Sequence, residues 1–554
     1  MCGFVAILDP GGAAPVDTLR PLALERARLL RHRGPDWSGV YADPRALLAH
    51  ERLSIVDVMH GAQPLLSPDG EQALAVNGEI YNHRALRARC AGYPFATDSD
   101  CEPILALYRA GMAPEALCDA LHGMFAFVLW DRSKGDYLVA RDAIGIVPLY
   151  WGRDADGRRW FASELKALHG VCEEVDVFPP GTYLTAGMDA PARWFAPDWR
   201  PYEAVEHGPT DPAPLRRALQ DAVHSHLMSD VPYGVLLSGG LDSSLVAAIA
   251  AKYAARRIED DDRTDAWWPR LHTFSIGLPG SPDVAAAQTA AEALGTAHHA
   301  FTYTVQEGID ALSDVVFHTE TYDVTTIRAS TPMMLLARRI KAMGIKMVLS
   351  GEGSDEIFGG YLYFHHAPDD RELHEELVRK LDALHLYDCL RANKSMAAYG
   401  VEARVPFLDR TFLDVAMRTA PSVKQLGGGR IGARAAGRGR GLLPDAILWR
   451  QKEQFSDGVG YGWIDGLKEH AEREVSDEAL RGAAERFPHN PPPTKEAYLY
   501  RALFEQHFPG EAAARLVPGG PSIACSTPTA LRWSASFAAN ADPSGRAVLG
   551  VHKG

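Results

Sequence analysis

The sequence predicts two domains of different fold class: stacked antiparallel sheets flanked by helices, and then a doubly wound parallel sheet. Short strand patterns separated by turn residues fill the first 200 residues. The segment FAPDWRPYEAVEHGPTDPAP, at residues 195–214, is rich in proline and charge and predicts a domain boundary. Beyond it, apolar strand patterns alternate with helical patterns, which is typical of a parallel sheet with crossover helices.

In the first domain, residues 1–200, turn strings such as SPDG, SKGD and DADG separate the strand patterns. Strands are predicted at residues 4–8, 46–56, 73–80, 124–130, 137–140, 148–151 and 160–163. Two helical patterns, RPLALERARLLRHR and DSDCEPILALYRAG, lie between them. Several short strands with a few helices indicate sheets stacked between helical layers.

In the second domain, residues 201–530, strand patterns occur in YGVLLSGG, LHTFSIGL, HHAFTY and GIKMVLSG. Helical patterns such as LDSSLVAAIAAKYAARR and VAAAQTAAEALG separate them, and the chain is mainly helical after about residue 370. Parallel sheets bind ligands beyond the carboxyl ends of their strands, where the glycine turns lie. Residues 531–554 are predicted to form an irregular tail.

The bulk composition excludes several classes of protein. The 554 residues exceed the size of one core, and 46% are hydrophobic while 23% are charged. The net charge of −14 argues against a nucleic-acid partner. No apolar run approaches the length of a membrane span, and no secretory signal is expected. Seven scattered cysteines without CxxC spacing predict reduced thiols in a cytoplasmic protein and no zinc site.

Cys2 directly follows the initiator methionine at the head of the apolar run GFVAIL. Removal of Met1 would give Cys2 both a thiol and a free α-amine. An α-amine with a pKa of roughly 7.7–8.0 could take the proton of the thiol and make it a nucleophile. Position alone favours a structural interpretation, in which Cys2 is a small residue that begins a strand, because lone cysteines are mostly inert.

The string SGGLDSS, residues 238–244, follows an apolar strand and opens a helix. Its glycines allow close approach of an anion, and its serines and the helix amides can donate hydrogen bonds to phosphate. It lacks the GK[ST] of the Walker loop, so transfer of a γ-phosphoryl group is not implied. Asp242 suits an Mg²⁺ ion that bridges it to phosphates. The glycine pair alone would be compatible with an ordinary turn.

A resemblance to known enzymes is carried by many long strings. SGGLDSS looks like the pyrophosphate loop of ATP pyrophosphatases, and LSGEGSDEIFGGY follows a later strand of the same domain. With Cys2 and the strings RHRGPDWSG, HERLSIVD, NGEIYNH, TTIRASTP, GVEARVPFLD and WRQKEQFSDGVGY, they closely resemble the glutamine-hydrolysing asparagine synthetases of the bacterial B type. The resemblance spans nearly the whole chain. It implies an α+β N-terminal-nucleophile hydrolase sandwich (αββα), a doubly wound α/β ATP-pyrophosphatase domain with added helices, and a homodimer.

For the first domain, the resemblance implies a glutaminase in which Cys2 attacks the side-chain amide of glutamine. Asn77 and the Gly78 N–H would form the oxyanion hole, although Asn-Gly is also common in hairpin turns. The glutamine-binding residues that the resemblance implies are Arg52 for the α-carboxylate, Glu79 and Asp100 for the α-ammonium, and Asn77. By residue type alone, the three charged residues would more often be surface charges. Arg33 is expected on a loop that closes over this pocket.

For the second domain, the resemblance implies a site for ATP with Mg²⁺. The ATP-binding residues would be Leu237, Ser238, Gly239, Gly240, Asp242, Ser243, Ser244, Ile276, Ser350, Gly351 and Asp355. Asp242 and Asp355 would share the Mg²⁺ ion, which suits two carboxylates beside a polyanionic nucleotide. Glu352 would take a proton from attacking ammonia, and Lys452 would neutralise charge at the α-phosphate.

The acceptor would be aspartate, bound by Thr325, Thr326 and Arg328. Two hydroxyls and one guanidinium suit a carboxylate, although a helix cap followed by a surface arginine would have the same pattern. The implied reaction adenylates the β-carboxylate of aspartate. Ammonia from glutamine, led through an enclosed channel, then attacks β-aspartyl-AMP to give asparagine, AMP and pyrophosphate.

Two other functions stay open from the sequence. One is a related synthetase that adenylates another carboxylate, such as a β-lactam-forming enzyme. The other is a non-catalytic sensor of glutamine or nucleotide. The sensor interpretation stays open because residues 427–441 hold seven glycines and four arginines where the family has a charged helix. Glycine costs roughly 1 kcal/mol per helix position relative to alanine, so this stretch could disable the synthetase site.

Overall fold

The computed structural model describes residues 1–9, 15–255, 270–425, 441–450, 454–519 and 526–533. The chain forms two compact units. The first unit comprises Met1–Ala196, Met228–Val231 and Met396–Glu402, and the second comprises Pro197–Leu227, Pro232–Ser395 and Ala403–Gly554. No described helix has the length and apolar character that a membrane crossing requires.

The first unit contains two six-stranded antiparallel sheets, with strand orders β10-β8-β9-β1-β3-β2 and β12-β11-β7-β6-β5-β4. The strands are β1 Gly3–Leu8, β2 Trp37–Asp43, β3 Ala46–Arg52, β4 Leu65–Leu66, β5 Gln72–Ile80, β6 Gly123–Asp131, β7 Asp136–Arg141, β8 Tyr150–Arg153, β9 Arg159–Ala162, β10 Glu174–Val177, β11 Thr182–Thr185 and β12 Ala192–Arg193. Its α-helices are Arg20–Arg28, His83–Arg89, Pro103–Arg109 and Pro114–Ala120.

Helices cover the outer face of each sheet in the first unit. The helix Arg20–Arg28 contacts β1 and β3, and both strands also contact β5 of the second sheet. The second sheet packs its outer face against the helices Pro103–Arg109 and Pro114–Ala120 in one apolar cluster. Strand β1 is therefore buried at all six positions, which explains its unbroken apolar run GFVAIL. The predicted αββα sandwich is confirmed.

The second unit is built on a five-stranded sheet with the order β15-β14-β13-β16-β17. The strands are β13 Tyr233–Leu236, β14 His272–Gly277, β15 Ala297–Thr302, β16 Met347–Leu349 and β17 Glu402–Arg404. The pairs β13–β14, β13–β16 and β14–β15 are parallel. Because β13 lies centrally while its sequence neighbours lie to both sides, the sheet is doubly wound, and the predicted α/β class is confirmed.

Helices surround this sheet and form most of the remaining chain. The described α-helices of the second unit are Ala213–His226, Leu241–Tyr253, Pro282–Leu294, Val305–Asp310, Leu312–Thr319, Val324–Ala342, Ser354–Phe358, Asp370–Ala383, Asp388–Ala397, Arg410–Arg418, Ser422–Gln425, Asp445–Leu448, Phe455–Gly458, Gly462–Glu474, Asp477–Arg481, Ala483–Arg486, Lys495–His507 and Glu511–Ala514.

The strands that the sequence pattern missed lie away from the middle of the sheets. Strand β2 is an edge strand with partly exposed residues throughout, and β10 alternates between exposed and partly buried positions. A strand that buries little apolar surface carries a weak periodic signal. The strands β1, β3, β5 and β6, which lie farther from the sheet edges, have a strong apolar pattern, and all four were predicted.

Gly239 adopts φ of +70°, and a Cβ atom there would lie 2.3 Å from the backbone nitrogen of Ala287. Gly240 has φ of −73°, and the nearest atom to an added Cβ is the Ser238 hydroxyl at 3.3 Å.

We expect Gly239→Ala to lower the free energy of unfolding by about 2 kcal/mol or more, since the left-handed backbone alone costs about 1–2 kcal/mol. Gly240→Ala should cost about 1 kcal/mol or less. Urea denaturation of both variants measures this, and equal losses would contradict it.

Candidate active sites

Cys2 is buried at the start of β1, between the amino terminus and the turn that follows β3. Its thiol donates to the Leu53 carbonyl at 3.8 Å. Burial raises the pKa of the Cys2 thiol, against the opposing effects of the amino terminus and of Arg52. The Met1 amino group lies 2.9 Å from the Glu402 carboxylate. A thiol with a raised pKa needs a base close by in order to act as a nucleophile.

Asn77 and Gly78 lie within β5, where they pair with Ala126 and Phe125 of β6. The Asn77 side chain is fully buried, and among the described residues neither atom of its amide has a hydrogen-bond partner. Gly78 has φ of +146°, and a Cβ atom there would lie 2.1 Å from the Met124 carbonyl. The Asn-Gly pair is thus part of a strand and not a hairpin turn, and it presents a buried amide that is ready for a ligand.

Arg52 ends β3 beside this site. Its guanidinium donates to the carbonyls of Val56, Asp57 and Val58 at 3.1, 2.6 and 3.2 Å. These carbonyls fix the direction of the side chain without neutralising its charge. That charge also lowers the pKa of Cys2, although less than burial raises it. The structure therefore brings Arg52 near Cys2.

Glu79 and Asp100 form a negative cluster around Cys101. Burial raises the pKa of the Cys101 thiol well above its usual range, and the charges of Asp100, Glu79 and Cys2 raise it further. Asp100 accepts a hydrogen bond from the Ile80 N–H at 2.7 Å, which ties it to the end of β5. The structure thus brings both predicted ammonium-binding carboxylates to Cys101, whose thiol also interacts with Cys2. Cys101 itself had no signal in the sequence beyond its residue type.

The sequence suggested that Arg33 lies on a loop that closes over the glutamine pocket, and the structure places this side chain against Cys2. It is fully buried, donates to the Cys2 carbonyl at 2.8 Å and pairs with Glu164 at 2.6 Å. Although burial opposes it, the charges of Lys166, His32 and Arg33 hold the pKa of Glu164 well below its usual range. Glu164 was missed by the sequence analysis because one carboxylate between a strand and a turn has no pattern of its own.

In the second unit, residues 238–240 turn sharply between β13 and the helix Leu241–Tyr253. The hydroxyls of Ser238 and Ser243 lie 3.1 Å apart, and the Gly240 N–H donates to Ser238 at 3.3 Å. The helix therefore begins beneath a compact loop of hydroxyl and amide groups. Such a loop suits a phosphate group.

The loop after β16 packs directly against the first loop. A Cβ atom on Gly351 would lie 2.9 Å from the Ser243 nitrogen, so only glycine allows this approach without a shift. The Ser354 hydroxyl donates to the Asp242 carboxylate at 2.9 Å, and the Ser350 N–H donates to the Arg404 carbonyl at 2.8 Å. Two strings more than a hundred residues apart thus form one surface.

A cavity of about 300 Å³ opens above these two loops. Twelve residues that the sequence analysis assigned to the second site line it: Leu237, Ser238, Gly240, Asp242, Ser243, Ile276, Thr325, Thr326, Ser350, Gly351, Glu352 and Asp355. Gly239 and Ser244 do not line the cavity; Gly239 forms the turn, and Ser244 is buried within the helix.

Charged side chains that the sequence did not single out line the same cavity, among them Asp323, Lys380, Asp388 and Arg391. The Arg391 guanidinium lies 2.5 Å from the Glu352 carboxylate and 2.6 Å from that of Asp388. These residues come from helices whose charges look like ordinary surface charges in the sequence. Only the folded chain shows that they face inward.

Thr325 and Thr326 lie in the first turn of the helix Val324–Ala342. Asp323 caps this helix, and its carboxylate accepts a hydrogen bond from the Thr326 N–H at 2.7 Å. The threonines are therefore not the cap, and both line the cavity. Burial raises the pKa of Asp323, while its bonds to Thr326 oppose the rise.

The structure does not bring Arg328 to the cavity. Its guanidinium forms a bidentate ion pair with Glu496, at 2.7 and 2.6 Å, and both side chains are buried. The predicted contact with aspartate is not supported by this position. No nearby sequence signal connects two residues that lie 168 positions apart, so the partner could not be foreseen.

Lys452 lies outside the described residues, as do residues 427–440. Arg450 is described and lines the cavity. Its guanidinium donates to the Ser238 carbonyl at 3.2 Å and to the Asp283 carboxylate at 2.5 Å. The string WRQKEQ therefore approaches the phosphate loop through Arg450, which the sequence analysis had not assigned.

Glu356 is a fully buried carboxyl beside the cavity. Burial raises its pKa to about 8, and the charges of Asp388 and Asp355 add to the rise while Lys380 opposes it. The Tyr361 hydroxyl donates to Glu356 at 2.5 Å. Near neutral pH, this carboxyl is largely protonated and adds little negative charge to the site.

Comparisons with known proteins give the same division of the chain. A family model described as a glutamine amidotransferase domain matches residues 1–196. A second model, described as asparagine synthase, matches residues 214–372 and 366–521. The two matches cover the first sheet sandwich and most of the second unit.

Similar curated proteins match over the full chain. The chain is 60% identical over 555 residues to the glutamine-hydrolyzing asparagine synthetase B of Escherichia coli strain K12, covering 100% of this chain and 99% of the relative. It is 55% identical over 559 residues to a glutamine-hydrolyzing asparagine synthetase of Arabidopsis thaliana, covering 100% and 95%. A similar enzyme from Asparagus officinalis is 53% identical over 559 residues, covering 100% and 93%.

The raised pKa of Glu356 predicts how stability depends on pH. The folded state holds this proton up to about pH 8, whereas an unfolded glutamic acid loses it near its ordinary pKa of 4.5. The contribution to stability is therefore complete below pH 4.5 and is lost as pH rises to 8. We expect the unfolding free energy of Glu356→Gln to fall less between pH 5 and pH 8 than that of the unaltered chain.

Urea denaturation at several pH values measures this difference. Glu474→Gln, a change at an exposed helix end, is the matched control and should leave the pH dependence unaltered. Parallel curves for Glu356→Gln and the unaltered chain would show that Glu356 does not hold a proton in the folded state.

Proposed function

The chain belongs to the family of glutamine-hydrolysing asparagine synthetases, and we propose that its two sites carry out the two half-reactions of asparagine synthesis. The first unit hydrolyses glutamine to glutamate and ammonia at Cys2. The second unit uses ATP to adenylate the β-carboxylate of aspartate, and ammonia then displaces AMP to give asparagine. The single observation that carries the proposal is the cavity that joins both strand-end loops to Thr325, Thr326 and Glu352.

The first half-reaction requires a mature chain from which Met1 has been removed, so that Cys2 bears its own α-amine. This amine takes the thiol proton as the sulfur attacks the amide carbon of glutamine. The C–N bond breaks, the amine returns the proton to the leaving ammonia, and a thioester remains on Cys2. Water then attacks the thioester and releases glutamate.

The oxyanion of the tetrahedral intermediate is held by the Asn77 amide and the Gly78 N–H. The buried Asn77 amide without a partner supports this role, because an unmet buried donor costs about 1–3 kcal/mol unless a ligand satisfies it. Arg52 binds the α-carboxylate of glutamine, and Glu79 and Asp100 bind its α-ammonium. Carbonyl groups hold Arg52 in place without neutralising it, which keeps its charge for the substrate.

The second half-reaction uses the phosphate loop and an Mg²⁺ ion. Asp242 and Asp355 fit this ion because both present carboxylate oxygens on the cavity wall, each in the first turn of a helix, and the loop that precedes Asp355 packs against the start of the helix that bears Asp242. Mg²⁺ is usually bound by one or two carboxylates together with substrate phosphates. When bound, it would neutralise phosphate charge. The loop residues 238–243 hold the pyrophosphate group, while Leu237 and Ile276 contact the adenosine portion of ATP.

The acceptor aspartate binds at the end of the cavity formed by Thr325 and Thr326. Its β-carboxylate attacks the α-phosphorus of ATP and expels pyrophosphate, and the ammonia nitrogen then attacks the carbonyl carbon and expels AMP. Glu352, held by Arg391, accepts a proton from the attacking nitrogen. Lys452 keeps the proposed role at the α-phosphate through its place in WRQKEQ.

We place the reaction in the cytoplasm, where ATP and free thiols such as those of the six described cysteines are stable.

A reciprocal pair of variants tests the division of labour. Cys2→Ala should abolish glutamate formation and glutamine-dependent asparagine, because the nucleophile is gone, while asparagine formation from ammonium salts remains. Asp242→Asn should abolish pyrophosphate release while glutaminase activity remains. The assay supplies glutamine labelled with ¹⁵N in the amide, aspartate and Mg-ATP, and follows glutamate, pyrophosphate and labelled asparagine.

Each variant is the control for the other. Loss of both activities in either variant would refute separate sites, and glutamate formation by Cys2→Ala would refute the nucleophile. Pyrophosphate release that does not depend on aspartate would indicate another acceptor. Glutaminase activity alone in the unaltered chain would indicate a disabled synthetase.

Asn77→Ala tests the oxyanion hole. Removal of one such donor typically lowers kcat by about 10²–10³-fold, and we expect a loss of this size in glutamine hydrolysis. Asn77→Asp replaces the amide donor with an acceptor of equal size. We expect this variant to hydrolyse glutamine no faster than Asn77→Ala does. Ammonia-dependent synthesis should not change in either variant. A rise in KM for glutamine at constant kcat would instead make Asn77 a ground-state contact.

A further inference from the structure

Residues 526–533, which we term the C-terminal strap, reach the synthetase cavity from near the end of the chain. Ser526, Thr527 and Pro528 line the cavity. None of the motifs in the sequence assigns a role to these residues, and nothing in the proposed reaction uses them. Their position in the cavity wall therefore needs its own explanation.

The strap contacts the rest of the second unit at two points. The Glu376 carboxylate accepts hydrogen bonds from the Thr527 hydroxyl at 2.7 Å and from the Thr527 N–H at 3.2 Å. Glu376 is fully buried and also accepts a hydrogen bond from the Tyr363 hydroxyl at 3.0 Å. At the other end of the strap, the Trp533 ring packs on Tyr363 with centroids 6.1 Å apart.

These fastenings place the strap at one particular end of the cavity. Glu376 lies on the helix Asp370–Ala383, one turn before Lys380, which lines the cavity. The charge of Lys380 acts on Asp323, whose carboxylate caps the helix that bears Thr326. The strap therefore adjoins the end of the cavity that Lys380, Asp323 and Thr326 line.

We propose that Ser526, Thr527 and Pro528 form a wall of the acceptor end of the cavity, and that Glu376 is the positioning residue that holds this wall. The acceptor is a small amino acid with two carboxylates, and this inference rests on the proposed function. A wall at this end limits the length of the acceptor and keeps water from the acyl-adenylate, which water would hydrolyse. The Thr527 hydroxyl donates its one proton to Glu376, so this residue shapes the wall and does not donate to the acceptor.

Thr527→Val tests the fastening, because valine has the same shape but cannot donate to Glu376. Loss of this charge-assisted hydrogen bond frees the wall to move, so we expect KM for aspartate to rise about tenfold or more. KM for ATP and the glutaminase kcat should stay within about twofold. Thr529→Val is the matched control: the same change two residues along, at a partly buried position that does not line the cavity.

Pro528→Trp tests the wall independently of the fastening, since it adds bulk at an exposed cavity position. We expect it to raise KM for aspartate more than KM for ATP. The inference is wrong if Thr527→Val and Pro528→Trp both match the unaltered chain, or if either raises KM for ATP and leaves KM for aspartate unchanged. If the unaltered chain releases no pyrophosphate with aspartate, the proposed function fails instead.

Discussion

The parallel pairing of β13 with β16 is the constraint on which the synthetase site depends. Tyr233 pairs with Met347, and Val235 with Leu349, so both strands end at the same edge of the sheet. Each strand is followed directly by a glycine-containing loop, and the two loops touch where Gly351 meets the backbone of Ser243. A side chain at Gly351 would push the loops apart and separate Asp242 from the second loop. The parallel register of β13 and β16 and the absence of a side chain at Gly351 thus bring two distant segments together in one site that suits a phosphate group.

The constraint in the first unit is different, because it buries the Cys2 thiol away from water. Burial opposes ionisation of the Cys2 thiol, so the site needs a base that is itself part of the nucleophilic residue. The buried Asn77 amide is costly in the absence of a ligand. In the proposed reaction, this second cost would fall when negative charge develops beside the amide. Strand β5, which bears Asn77 and Gly78, is buried along nearly its whole length.

The sequence allowed prediction of both fold classes, and most of the residues that it assigned to the second site line the cavity, because most of them lie in strings at strand ends. It did not reveal Lys380 or Arg391, since charged residues on an amphipathic helix look the same whether they face solvent or a cavity. Arg328 shows the converse limit. Its string suggested a ligand contact, but the chain fold supplies Glu496 as its partner. Long-range pairing of this kind has no local signal, and the same holds for the strap and Glu376.

The charge of the cavity explains why a nucleotide would need cations there. Among the described residues, six carboxylates line it, those of Asp242, Asp283, Asp323, Glu352, Asp355 and Asp388, against three cations, those of Lys380, Arg391 and Arg450. Protonation of nearby Glu356 keeps this excess from growing. An ATP molecule that enters such a site meets net repulsion, which at a separation of 4 Å and an effective dielectric constant of 20 is about 4 kcal/mol per pair of charges. The negative wall that would repel bare ATP is the physical reason for the proposed Mg²⁺ ion at Asp242 and Asp355, since a divalent ion would offset this repulsion.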